Sequence, residues 1–158
     1  MTYLSGFEGG HGMGVSLKCQ YGLRALFELA RRHGNGLVRI SEIAEIQAIP
    51  ERFLENILNQ LRHGGFVESR RGKGGGFTLA KTPSGITVGD IIRFIDGSIY
   101  NIGCDGDAPL HKCRLKGNCI FLPVWREAKT AVEEVYNSKS LQYLVDADAD
   151  VTLSDYSI

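Results

Sequence analysis

The first part of the chain has apolar residues at helical spacing. Between positions 15 and 33, one apolar stripe consists of Leu17, Tyr21, Ala25 and Leu29. This period is typical of an amphipathic helix, and the glycines of "HGNG" suit its C-terminal end. Residues 1–14 contain five glycines and no apolar period, which predicts a disordered leader.

The next segment has the pattern of a short strand followed by two helices. "LVRI" is a strand candidate, and Ser41 can N-cap a short helix, "EIAEIQ", that buries Ile43, Ala44 and Ile46. "AIP" breaks this helix, and Pro50 suits the first turn of the next one. The predicted buried residues of that second helix are Phe53, Leu54, Ile57, Leu58 and Leu61.

The rest of the chain predicts a hairpin and further helices. "FVESRR" and "FTLAK" alternate like strands, and "GKGGG" between them favours a turn with positive φ. "ITVGDIIRFIDG" predicts a helix, and residues 120–138 predict a longer one. The apolar stripe of the longer helix is Val124, Ala128, Ala131, Val132 and Val135. "LQYLVDA" predicts a last short helix, and the acidic residues 146–158 predict a frayed tail.

Two helices followed by a basic hairpin is the order of a winged helix-turn-helix, whose second helix enters the major groove of DNA. Glu55 on that helix can accept a hydrogen bond from cytosine, and Asn56 can bridge adenine. Basic side chains on a glycine-rich tip suit phosphates or the minor groove. The alternative is that these are solvated faces and a blunted sheet edge. The candidate DNA contacts are Ser41, Arg52, Glu55, Asn56, Arg62, Arg70, Arg71 and Lys73.

The charge is unevenly distributed although the net charge is zero. Residues 1–98 have 12 basic and 9 acidic side chains, and residues 99–158 have 6 and 9, so an anionic partner suits the first part. No apolar run approaches the roughly 20 residues of a membrane span, and the N-terminus does not resemble a signal peptide. A cytoplasmic protein without a membrane partner is therefore expected. No general base is paired with a nucleophile, which argues against an enzyme.

Four cysteines are present, and three of them lie in "CDGDAPLHKCRLKGNC". Cys104 and Cys113 are separated by eight residues, and Cys113 and Cys119 by five. Structural zinc sites generally use a closer pair, and ferredoxin-type clusters also have closer spacing. Three thiolates on one loop can still surround a metal cluster. Three free thiols or a switchable disulfide remain open alternatives.

The chain resembles the IscR/NsrR-type winged-helix transcription regulators over residues 15–145. The resemblance is carried by "ISEIAEIQAIPERFLENILNQLRHGGFVESRRGKGGGFTLAK", by "ITVGDIIRFIDG", and by three cysteines followed by "LPVWREA". It implies a mostly α fold with a small β wing, namely a winged helix-turn-helix DNA-binding domain plus a long C-terminal dimerisation helix. The expected divisions are a leader (1–14), a DNA-binding domain (15–96), a cluster loop (97–119), a dimerisation helix (120–145) and a disordered acidic tail (146–158).

The resemblance also implies partners and a cofactor. Members of this family act as homodimers on near-palindromic double-stranded DNA. In cluster-binding members the loop cysteines, here Cys104, Cys113 and Cys119, hold an iron–sulfur cluster, [2Fe-2S] or [4Fe-4S]. The family's base reader corresponds to Glu55, its neighbour to Asn56, and the wing arginine to Arg71.

The fourth ligand does not carry over from the family. The histidine of IscR-like members corresponds to Leu122, and the acid of NsrR-like members corresponds to Gln20. We therefore consider Cys19 of the partner chain as the fourth ligand, against the alternative that it is a small buried apolar residue. His111 is a second candidate. Two other functions remain open, namely a cluster-free regulator that acts through thiol redox or a protein partner, and an interaction module that does not bind DNA.

Overall fold

The computed structural model describes residues 14–99, 115 and 118–155, and the leader up to position 13 lies outside them. The described residues form six α-helices and a two-stranded antiparallel sheet, as the sequence predicts, together with a short 3-10 helix that is not predicted. In chain order these are α1 (Leu17–Arg31), α2 (Ile40–Ile46), α3 (Glu51–His63), β1 (Val67–Arg70), β2 (Gly76–Leu79), the 3-10 helix (Pro83–Gly85), α4 (Val88–Asp96), α5 (Leu122–Asn137) and α6 (Leu141–Asp155).

Helix α1 lies at the centre of the core and packs against α3, α4 and α6. Ser16 caps its N-terminus, because the Ser16 hydroxyl accepts a hydrogen bond from the Cys19 N–H at 3.1 Å. The N–H and hydroxyl of Ser16 also donate to the Asp96 carboxylate at 2.9 and 2.5 Å. The start of α1 is therefore fixed to the end of α4.

The start of α2 differs from the prediction. Ser41 is not the N-cap, since α2 begins at Ile40 and Arg39 occupies the cap position without a side-chain hydrogen bond. The backbone of Arg39 is extended, and its carbonyl accepts from the N–H groups of Glu42 and Ile43 at 3.1 and 3.2 Å. Ile43 and Ala44 are buried as predicted, whereas Ile46 is 48% exposed.

Helix α3 confirms most of its predicted core face. Leu54, Ile57, Leu58 and Leu61 are buried, and this spacing of three and four residues covers one face of a helix. The prediction that Phe53 is buried is wrong, because its side chain is 53% exposed. Phe53 lies on the flank of the buried stripe, and the core is already filled by the four aliphatic side chains.

The wing is the hairpin of β1 and β2, in which Val67 pairs with Leu79 and Arg70 with Gly76. Gly72 and Gly74 in its tip have φ of 100° and 82°, the positive φ expected for this turn. The predicted "LVRI" strand is reduced to one bridge, in which Val38 and Phe77 exchange two N–H···O bonds of 2.9 and 2.8 Å. The strand cannot continue, because Ile40 already belongs to α2.

Helix α4 begins at a reciprocal cap between Thr87 and Asp90, with bonds of 3.0 and 3.1 Å. In the sequence, Thr87 and Asp90 have the three-residue spacing of such a cap. Burial acts to raise the pKa of Asp90, but hydrogen bonds from the Thr87 backbone and side chain, and from Arg93, lower it overall.

The acidic end of the chain differs from the prediction. Residues 146–155 belong to α6 and are not a frayed tail. The helix is held because Leu141 is buried and Leu144 and Val145 pack against the core. One turn further on, Asp148 forms an ion pair with Arg31 at 3.5 Å, so an acidic residue supports this helix.

Candidate nucleic-acid interface

An open groove of about 600 Å³ lies between α3, the start of α2 and the wing. We call it the α3–wing groove, and it brings together side chains that are distant in sequence. Its polar and charged lining residues are Arg39, Ser41, Glu55, Asn59, Arg62, Ser69, Arg70, Arg71 and Lys73. Arg62 joins its two sides by donating to the Ser69 hydroxyl at 3.2 Å. The polar face of α3 and the wing therefore form one surface.

Basic side chains dominate this groove, with five against one acid, Glu55. Among residues 14–99, 115 and 118–155, none of the five forms an ion pair. Elsewhere in the chain, Arg31, Arg32 and Arg93 all have acidic partners within 3.5 Å. The positive charge of the groove is thus not neutralised within the described chain, and such a surface attracts a polyanion.

The structure brings six of the eight predicted DNA contacts to the groove. These six are Ser41, Glu55, Arg62, Arg70, Arg71 and Lys73. Arg52 and Asn56 do not line it, although both are exposed on α3. The Arg52 guanidinium lies 5.8 Å from the centre of the Phe53 ring. These two residues therefore extend the polar face of α3 beyond the groove.

Asn56 lines a smaller, mostly apolar pocket of about 360 Å³ between α1 and α3. The other lining residues are Leu17, Lys18, Tyr21, Phe53 and Ile57. The side-chain amide of Asn56 donates to the Arg52 carbonyl at 3.3 Å. This bond uses one of the two amide N–H groups, so the other N–H and the amide oxygen remain for the N7 and N6 atoms of an adenine.

Sequence reasoning missed three polar residues of the groove, Arg39, Asn59 and Ser69. Asn59 had a usable signal, because it lies four residues after Glu55 and so shares its helical face. Arg39 had no such signal in the sequence, since it lies in the segment that is predicted to be a strand. Its place in the groove depends on the pairing of Val38 with Phe77.

A buried carboxylate holds α2 against α1 and so fixes one border of the groove. Glu28 is 2% exposed. It accepts from Arg32 Nε at 2.9 Å and from Gln47 Nε2 at 3.2 Å. Arg32 also donates to Glu42 at 2.7 Å. The ionised side chains of this cluster are therefore paired, as a buried charge requires.

The Cys19 thiol is fully buried. Burial raises the pKa of this thiol to about 12, and the charge of Asp96 and a hydrogen bond to its carboxylate act in the same direction. Metal ligation needs the thiolate, so this environment disfavours Cys19 as a ligand. It favours the alternative that Cys19 is a small core residue.

Cys119 lies half-buried before α5, and its carbonyl accepts from the Leu122 N–H at 3.1 Å. Cys104, Cys113 and His111 lie outside the described residues. Among those that are described, no group of three or more His, Cys, Asp or Glu side chains is arranged to hold a metal ion. The three-cysteine ligand set therefore stays a prediction.

None of the described helices is long and apolar enough to cross a membrane.

Comparison with known proteins identifies related transcription regulators. A family model described as "Rrf2: Iron-dependent Transcriptional regulator" matches residues 15–147. The HTH-type transcriptional regulator CymR of Bacillus subtilis (strain 168) is 36% identical over 132 residues, which cover 84% of this chain and 89% of CymR.

Solved structures agree with this result. The structure of B. subtilis CymR, described as the global cysteine regulator, matches with a TM-score of 0.70 and 34% identity, covering 85% of this chain and 97% of that chain. T. potens IscR matches with a TM-score of 0.67 and 37% identity, covering 89% and 91%.

Proposed function

Because the chain belongs to the Rrf2 family of transcriptional regulators, we propose that it binds near-palindromic double-stranded DNA as a homodimer in the cytoplasm. Proteins of this family are transcription regulators and not enzymes, in agreement with the absence of a paired base and nucleophile in the sequence. The α3–wing groove carries the proposal. It combines an exposed helix face with five basic side chains that have no acidic partner among the described residues.

In the proposed complex α3 enters the major groove, as the second helix of this motif does. Glu55, the one acidic side chain of the α3–wing groove, accepts a hydrogen bond from cytosine N4. The wing residues Arg70, Arg71 and Lys73 bind phosphates or the minor groove. Ser41, Arg52 and Arg62 contact the backbone beside the reading helix, and Asn56 reads an adjacent base.

The test is DNA binding by the wild-type protein and by Arg71→Ala over a range of salt concentrations. Each phosphate contact contributes about 0.9 to the slope of log affinity against log salt. If Arg71 binds phosphate, the variant binds more weakly and its slope is lower by about 0.9 per bound chain. An unchanged slope would remove Arg71 from this role, and salt-independent binding by the wild type would contradict the function itself.

Helix α5 supports a homodimer. It has 16 residues and none is buried within the chain. Val124 and Val135 of its apolar stripe are 54% and 57% exposed, and Phe121 just before it is 58% exposed. A helix with an apolar stripe needs a partner to cover it. A second copy of α5 covers both stripes at once, since symmetric dimers use the same patch on each subunit.

For sensing, we propose that Cys104, Cys113 and Cys119 hold an iron–sulfur cluster, [2Fe-2S] or [4Fe-4S]. A bound cluster would supply redox and ligand-exchange chemistry. The "iron-dependent" description of the family supports this proposal, and Cys119, half-buried and in no disulfide, is compatible with it. The raised pKa of the buried Cys19 thiol disfavours it as the fourth ligand in this conformation.

The alternative is a regulator of the same family without a cluster, acting through thiol redox or a protein partner. It is favoured by the similarity to a protein described as the global cysteine regulator. In either case the cysteine segment joins α4 to α5, and Ser16 ties the end of α4 to α1. A coupling of about 1–3 kcal/mol along this connection would change DNA affinity roughly 5- to 150-fold.

The two alternatives are separated by anaerobic purification, an absorbance spectrum, and iron and acid-labile sulfide analysis per chain. Visible thiolate-to-iron bands with matched iron and sulfide would support the cluster. Protein that stays colourless after reconstitution would favour the thiol regulator. Cys119→Ala should abolish the bands, whereas Cys19→Ala should leave them unchanged if Cys19 is a core residue.

A further inference from the structure

We propose that Arg39 is a phosphate-binding residue that positions the wing and the helix pair together on the DNA backbone. The inference rests on the proposed DNA-binding function and deepens it. Arg39 lies outside the two elements that a winged helix-turn-helix uses most, namely the reading helix and the wing.

The side chain of Arg39 is exposed and lines the α3–wing groove beside Arg62, Arg70 and Arg71. It has no ion-pair partner in the described part of the chain. Arg32 is seven residues earlier, and its guanidinium is held by Glu28 and Glu42. A guanidinium in a cationic groove without such a partner is available to an anion.

The backbone of Arg39 is held on both sides, unlike the glycine-rich tip of the wing. On one side, buried Val38 exchanges two hydrogen bonds with Phe77 of β2. On the other side, the Arg39 carbonyl accepts from the Glu42 and Ile43 N–H groups at the start of α2. Contacts made from a fixed backbone lose less conformational entropy on binding.

The place of Arg39 favours phosphate over a base edge. It directly precedes α2, the first helix of the pair, and in this motif the first helix crosses the DNA backbone while the second lies in the major groove. Because Val38 pairs with β2, a phosphate held by Arg39 would fix the wing and α2 in one register. Phosphate contacts position a protein on DNA without reading its sequence.

The experiment compares wild type, Arg39→Ala and Arg39→Lys on two labelled duplexes, one selected from a random library and one with shuffled sequence. Arg39→Ala should weaken binding to both duplexes by a similar factor and lower the salt slope by about 0.9 per bound chain. Between about 0.05 and 0.2 M salt, its deficit should therefore shrink roughly 3.5-fold per chain. Arg39→Lys retains the charge and should retain most of the slope.

The matched control is Lys81→Ala, which removes an exposed positive charge lining a different surface, beside Asp90 and Arg93. This control should keep the wild-type slope. The inference is overturned if Arg39→Ala keeps the wild-type slope, or if its loss is confined to the selected duplex, which would indicate base reading. Salt-independent binding by the wild type would instead overturn the proposed function. Unfolding in urea checks that each variant is folded.

Discussion

At the scale of single residues, hydrogen bonds and ion pairs distinguish two kinds of charged side chain. Those with partners inside the chain stabilise the fold, and those without such partners are available to bind a ligand. Glu28 is buried and bonded to Arg32 and Gln47, so removing either partner would leave a buried carboxylate poorly satisfied. Arg71 has no such partner among the residues described. Its replacement should change DNA affinity with little effect on folding.

The buried thiol gives a prediction about pH. The pKa of Cys19 is raised to about 12 in the folded chain, from about 8.5 when unfolded. Its contribution to stability is fully present below about pH 8.5. It declines as the pH rises toward 12, because the unfolded thiol loses its proton first. The decline can reach about 1.4 kcal/mol per pH unit.

This prediction is measured by urea unfolding of cluster-free protein between about pH 8 and 11, with Cys19→Ala as the control. All other ionisable side chains are the same in the two proteins. The difference in unfolding free energy between the two should therefore shrink as the pH rises. A difference that is constant across the range would show that the thiol is not protected from ionisation.

At the scale of elements, the attachment of the wing depends on Gly76. A Cβ at this position would lie 2.5 Å from the Val38 carbonyl oxygen. Cβ atoms in proteins essentially never come this close to an atom to which they are not bonded. Gly76→Ala should therefore separate β2 from residue 38 and lower the unfolding free energy by about 1–3 kcal/mol, the range for overpacked sites. DNA binding should weaken as well.

The control for Gly76→Ala is Gly85→Ala in the 3-10 helix. A Cβ there meets the Thr82 hydroxyl at 3.4 Å, an ordinary contact, so its stability should change by no more than about 0.5 kcal/mol. Both variants are measured by urea unfolding. Equal stability of the two would mean that the Val38–Phe77 bridge does not hold the wing.

The elements also show what can be predicted from sequence. The stripe of α3 and the hairpin follow from local spacing and turn residues, and both are predicted correctly. Phe53 is not, because spacing does not distinguish a core position from the flank of a filled core. The length of α6 is also missed, since an acidic segment has no apolar period and its support from Arg31 is a long-range contact.

The residues of the candidate site also fall into those that local sequence patterns predict and those that depend on long-range contacts. Glu55, Arg70 and Arg71 could be predicted because each lies on an element whose polar face is visible in the sequence. Arg39 could not, since only the pairing of Val38 with Phe77 brings it to the groove. Arg52 and Asn56 are on the predicted helix but outside the groove, because the groove takes only one side of its exposed face.

At the scale of the whole molecule, the uncovered face of α5 predicts an oligomer that can be disrupted at one position. Val124→Asp would place a carboxylate in the proposed dimer interface. Loss of the valine contact alone is about 1.5 kcal/mol per chain, which is about 3 kcal/mol per dimer or roughly 150-fold in the dimer dissociation constant. Sedimentation velocity should show a dimer for the wild type and a shift to monomer for the variant.

The matched control is Thr130→Asp, an exposed polar position of α5 that lies away from the apolar stripe. It should remain dimeric and bind DNA like the wild type. If Val124→Asp is also dimeric, α5 is not the interface.

The bridge between Val38 and Phe77 also affects how fast the backbone amides of the wing exchange with solvent. An isolated two-stranded hairpin is only marginally stable in water, and its amides would exchange with solvent quickly. Here the Phe77 N–H is bonded to Val38, whose neighbour Arg39 accepts the first hydrogen bonds of α2. Exchange at Phe77 therefore requires the junction with α2 to open. Its amide should exchange at the same slow rate as those of Glu42 and Ile43.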